Sequence, residues 1–129
     1  MTPPSRHPAG LPAPELLRVA AAAAASKKAT DLVGLDLSGL EGVADYFLIC
    51  SGASEPQVKA IAEEVEDQLR ERGARPWHVE GREFRRWVLL DFVDVVVHVF
   101  QEDRRHLYNL EGLWMDARRI PIPSDGSPN

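Results

Sequence analysis

The chain has 129 residues, 44% of them hydrophobic, and a net charge of −5, which is one domain with room for a real core. The acidic balance argues against life on bare nucleic acid, where a basic footprint supplies most of the affinity, so little direct nucleic-acid binding is expected. A single cysteine, Cys50, excludes disulfides within the chain, cysteine-rich zinc sites and a Cys-x-x-Cys redox pair.

Met1 to Pro14 carries five prolines among Gly, Ser and Ala. It cannot bury enough to offset its ordering entropy, and disorder is expected over residues 1–14. From Glu15 to Lys28 the composition turns to Ala, Leu and Arg, strong helix formers. Leu16, Leu17, Val19, Ala20 and Ala24 make only a weak apolar stripe, which predicts a helix on the edge of the domain. Val19–Ala25 is too short and too weakly apolar to span a bilayer. No basic region followed by a Leu-rich core opens the chain, so a cytoplasmic protein with no membrane partner is expected.

Ala29–Leu37 and Tyr46–Cys50 read as two strands joined by the polar connector Ser38–Gly42, although Asp31 to Leu37 does not alternate cleanly. Ser54 followed three residues later by Gln57 matches a capping box, and Pro56 falls in the first turn, where its missing N–H costs nothing. Val58, Ile61, Ala62, Val65 and Leu69 follow at helical spacing, and Gly73 supplies the stop. Pro76–Glu80 reads as a short strand and Gly81–Arg86 as a charged loop.

Trp87 to Phe100 is the densest β-branched and aromatic stretch of the chain. Asp91 and Asp94 interrupt it, because short carboxylates bond their own nearby backbone amides and favour turns. Two antiparallel strands follow, Trp87–Leu90 and Val95–Phe100. In the second, Val95, Val97 and Val99 face one way and Val96, His98 and Phe100 the other, which predicts a central strand covered on at least one face. Gln101–Met115 reads as a helix through Leu107, Leu110 and Trp114. Asp116 to Asn129, with three prolines and Gly126, is expected to fray. One domain over residues 15–116 and a tail over 117–129 result. The fold expected is α/β: a mixed sheet of about five strands flanked by helices.

Several arrangements could hide chemistry. Asp91 and Asp94 could be metal carboxylates of a nucleotidyltransferase-like enzyme, but they are three apart across a turn and not two apart on one strand face. Ser51–Pro56 lacks the lysine or glycine run that cradles phosphate. His7, His78, His98 and His106 show no metal-ligand spacing, so no cofactor is expected. His98 suits a hydrogen-bonded core residue, and Cys50 a small buried filler. Trp87, Tyr108 and Trp114 are open to either reading, core or interface anchor. Trp87–Asp116 carries a net −4, which fits a docking surface for a basic protein and equally an ordinary solvated surface.

The stretches Asp31–Asp36, Ala44–Gly52, Gln57–Ala62, Glu80-Gly81, Trp87–Asp91, Asp94–Phe100, Arg104-Arg105 and Leu107–Trp114 resemble the ribosomal silencing factor family, RsfS or Iojap. The likeness runs in order from about Lys28 to Ala117. It implies a sheet-and-helix fold of nucleotidyltransferase-like shape that is not known as an enzyme. It further implies binding to ribosomal protein fourteen on the intersubunit face of the large subunit, where the small subunit is blocked from joining and translation is damped in starvation or stationary phase. A homodimer is implied for the free protein. The partner-binding residues on this reading are Trp87, Asp91, Asp94, His98, Arg105, Tyr108, Glu111 and Trp114. A nucleotidyltransferase-like enzyme, or a large-subunit assembly or docking factor that leaves joining intact, are the alternatives. Two departures stand out. Val93 replaces the usual Gly of the turn, and Glu55-Pro56 replaces a commoner polar or basic pair. A left-handed backbone at Val93 would strain its β-branched side chain.

Overall fold

The computed structural model describes residues 11–40, 42–83, 85–103, 117–120 and 122. Its first helix, α1 (Ala13–Ser26), begins inside the proline-rich stretch. Pro12 stands extended at the N-cap, and Pro14 sits in the first turn, where its fixed φ and absent N–H suit a helix start. The expected start at Glu15 therefore moves back by two residues. The edge position expected for α1 is also corrected: Leu16, Leu17, Val19, Ala20, Ala21, Ala23 and Ala24 are all buried. Alanines too small to mark a stripe are small enough for close packing, and α1 lies against a second helix and three strands.

Strand β1 (Thr30–Asp36) pairs antiparallel with β2 (Tyr46–Gly52). Its register shifts between Thr30 and Val33, where Asp31 takes φ +52°. This bulge accounts for the broken alternation of the sequence. Helix α2 (Glu55–Glu71) starts as its capping signals predict: Ser54 Oγ accepts from Gln57 N–H at 3.3 Å, and Gln57 Oε1 accepts from Ala53 N–H at 2.6 Å. At its end Gly73 has φ +84°, with Gly73 N–H donating to Arg70 C=O and Ala74 N–H to Leu69 C=O. That is the paired closure of a Schellman motif.

Strands β3 (His78–Glu80), β4 (Trp87–Asp91) and β5 (Val95–Gln101) form a second antiparallel set in the sheet. At the centre β5 runs parallel to β2, and the full order is β3-β4-β5-β2-β1-β6. The sheet is thus mixed, as expected, but has six strands among the described residues where about five were predicted. The sixth, β6 (Arg118–Ile120), pairs with β1 inside the stretch expected to fray. Gly34 makes room for it, since a Cβ there would stand 3.2 Å from Ile120 Cβ. Arg118 also donates to Asp36 Oδ2 at 2.7 Å. Of the helix predicted over Gln101–Met115, Gln101 belongs to β5 and helical backbone follows at Glu102 and Asp103. Its remainder lies outside the described residues.

The main core lies between the helices and one sheet face, joining Leu16, Val58, Ile61, Val65 and Leu69 to Leu48, Leu90, Val95, Val97 and Val99. The opposite face carries a second buried cluster of Leu35, Leu37, Phe47, Ile49 and Phe100. Both faces of the β2–β5 centre are buried, which is why those strands read as continuous apolar runs.

Candidate docking face

The β4–β5 hairpin carries four of the sequence-derived candidates, with Trp87 at its open end, His98 next to it, and Asp91 and Asp94 at its turn. In its register Trp87 faces Phe100 and Leu89 faces His98. Because side chains alternate, Trp87, His98 and Phe100 all point away from α1 and α2. Trp87 and Phe100 stack at 5.1 Å between centroids, and Phe47 meets His98 edge-on at 4.5 Å. Trp87 Nε1–H donates to His98 Nδ1 at 3.1 Å. An accepting Nδ1 carries no proton, so His98 is a neutral imidazole protonated at Nε2. Burial pushes its pKa down to about 3, because a charged ring would lose its hydration. The Nε2–H itself is buried with no hydrogen-bond partner among the described residues.

His98, at 3% exposure, offers no surface to a partner. Its expected place among the contact residues is corrected: it is a buried support for Trp87. Trp87 is half-buried, with its indole N–H turned inward.

At the turn the Asp91 carboxylate takes the role that its chemistry suggests. Asp91 Oδ1 accepts from Val93 N–H at 2.7 Å, closing an Asx-turn. Phe92 N–H donates to Val95 C=O, and Asp94 N–H to Phe92 C=O, each at 2.9 Å. The second bond, over Val93 at φ +74°, makes a γ-turn of the rare positive-φ kind. A β-branched residue therefore occupies the backbone region that usually takes glycine. Asp94 C=O accepts from Tyr46 N–H, and Leu37 N–H donates to Asp45 C=O, lacing the hairpin turn and the β1–β2 loop to the start of β2.

Next to this turn lies Trp77, which the sequence reading places in a strand without assigning it a role. It is 76% exposed, and its backbone N–H donates to Asp91 C=O at 2.8 Å. The available signal was its context: a tryptophan after Pro76 and before a polar three-residue edge strand has too little structure around it to be buried. Trp77, Asp91, Val93 and Val96 line a shallow groove with Gly42, Val43 and Ala44. Of the remaining candidates, Arg105, Tyr108, Glu111 and Trp114 lie outside the described residues.

Among the described residues no three His, Cys, Asp or Glu side chains gather as a metal site, and no helix is long and apolar enough to cross a membrane.

Comparison with known proteins gives one consistent match. The family described as "Ribosomal silencing factor during starvation" covers residues 11–129. Ribosomal silencing factor RsfS of Bacillus subtilis is 54% identical over 102 residues, which is 79% of this chain and 86% of that protein. The chloroplastic protein Iojap of Zea mays is 34% identical, over 81% of this chain and 46% of its own length. A crystal structure from Bacillus halodurans superposes with a TM-score of 0.75 at 46% identity, covering 84% of this chain and 99% of that one.

Proposed function

The chain belongs to the ribosomal silencing factor family, RsfS, and from that membership we propose that it represses translation by keeping ribosomal subunits apart. It binds ribosomal protein fourteen on the large subunit and occupies space that the small subunit needs. The observation that carries this reading is the family match over residues 11–129. Steric occupation requires no turnover, and Asp91 is engaged in its own turn through Oδ1, which favours a docking protein over a nucleotidyltransferase-like enzyme.

The docking face consists of Trp87 and the carboxylates of Asp91 and Asp94 on the hairpin, with Arg105, Tyr108, Glu111 and Trp114 further along the chain. The acidic hairpin end suits a basic ribosomal protein. Before it meets the subunit, the protein is a cytoplasmic homodimer, a state that light scattering of the free protein checks.

Purified protein titrated into separated subunits at physiological magnesium tests the function on a sucrose gradient. The joined-ribosome peak should fall while the protein co-sediments with the large subunit. Co-sedimentation with an undiminished joined peak would replace this reading by an assembly or docking factor. Absence from the large-subunit peak would remove ribosome binding altogether. The enzyme reading has its own check in calorimetry with nucleoside triphosphate and magnesium, where no heat is expected.

A further inference from the structure

We propose that the groove between the β1–β2 loop and the β4–β5 turn, rimmed by Trp77, takes an arginine-bearing segment of the ribosomal partner. Trp77 is then an anchor of the docking face. The inference rests on the reading of this chain as a large-subunit ligand and adds to it a site and a side-chain chemistry.

Three observations converge on this groove. Trp77 and Leu40 are the large hydrophobic side chains exposed among the described residues, and both stand on segments that border it. An indole at 76% exposure contributes nothing to the core, while tryptophan is enriched among interface hot spots. The lining is apolar and acidic: Val43, Ala44, Val93 and Val96 are half-buried, Asp91 is present, and among the described residues no lysine or arginine takes part. Asp91 uses Oδ1 in its turn, and the residue lines the groove. Asp45 and Asp94 flank the lining in sequence. Finally, the walls are fixed in advance, by Trp77 N–H on Asp91 C=O and Tyr46 N–H on Asp94 C=O. A guanidinium matches such a surface: its stem covers the valines, its plane stacks on an indole, and its N–H groups reach a carboxylate. Neighbouring His78 is turned to Glu80, with Nε2 and Oε2 3.1 Å apart, and is not among the described residues that line the groove.

The test is affinity for purified large ribosomal subunits. Trp77→Ala should weaken binding about tenfold to a hundredfold with an unchanged melting temperature. Asp91→Asn keeps an oxygen for the Val93 N–H and loses the charge, so it should weaken binding and flatten its salt dependence. Lys59→Ala, on the α2 surface, should bind as the wild type does. Hydroxyl-radical footprinting of the wild-type complex is the second measurement, with the Trp77 ring reactive in the free protein and protected in the complex. Wild-type binding with a Trp77 that is dispensable, or equally reactive free and bound, overturns the anchor and leaves the functional reading standing. A wild type that does not bind large subunits overturns both.

Discussion

Val93 holds the least favourable backbone position of the hairpin. At φ +74° its branched Cβ crowds the adjacent carbonyl, a conformation that costs on the order of 1–3 kcal/mol outside glycine. Glycine would remove that strain and return part of it as added freedom of the unfolded chain, worth about 0.4–1 kcal/mol. Val93→Gly should therefore raise stability by about 1 kcal/mol, and a denaturant midpoint that is unchanged or lower would refute the strained turn. His98 makes a second prediction at this scale. Its pKa is pushed down to about 3 in the fold against about 6.5 in an unfolded chain. The unfolded state therefore binds the extra proton between those values, and stability falls as pH drops from 6.5 towards 3, levelling below. The loss from this one group is on the order of a few kcal/mol. Carboxylates titrate in the lower part of the same window: Asp36 is held below its ordinary range by the Ser38 hydroxyl, then by Arg118. The measurement is thus a difference between wild type and His98→Leu, whose stability should be flatter between pH 6.5 and 5. Parallel curves would show that His98 is already charged or exposed.

Among the elements, those with a strong internal signal were legible and those defined by partners were not. α2 could be read because its caps, its apolar spacing and its terminal glycine are all local. The β4–β5 hairpin could be read because its turn is closed locally, by the Asp91 carboxylate on Val93 N–H and by Asp94 N–H on Phe92 C=O. α1 was misplaced because burial of Ala20 and Ala24, both 0% exposed, depends on how closely neighbours approach, which composition does not record. β6 was missed because Arg118-Arg119-Ile120 becomes a strand only through Gly34 and Asp36 on β1. Of the candidate docking residues, sequence placed Trp87, Asp91 and Asp94 on one hairpin, listed His98 although it is buried, and passed over Trp77, which stands out by its exposure. The corrected role of α1 can be checked: Ala20→Leu inserts three carbons into a filled core and should destabilise by about 1–3 kcal/mol. On a solvent-facing edge helix the same change would be neutral or slightly favourable.

At the scale of the molecule, charge should govern how the protein meets the proposed large-subunit partner. The chain carries a net −5, and Asp45, Asp91 and Asp94 gather where the hairpin turn meets the start of β2. A basic ribosomal partner should be attracted to this end before any contact forms, which raises the association rate and leaves dissociation to the apolar anchors. Exposed charges are screened over about 8 Å at physiological ionic strength. Association with the large subunit should therefore slow by about tenfold or more between 50 and 500 mM salt, while dissociation changes little. Asp94→Asn removes one carboxylate from the attracting end without altering side-chain volume, and its carbonyl bond to Tyr46 is made by the backbone. Its association rate should be lower at 50 mM salt and converge with the wild type at 500 mM, with similar dissociation at both. Stopped-flow mixing with labelled large subunits reads both rates. A variant that differs only in dissociation would place Asp94 in a direct contact, and a wild-type rate indifferent to salt would show that the acidic end takes no part in the encounter.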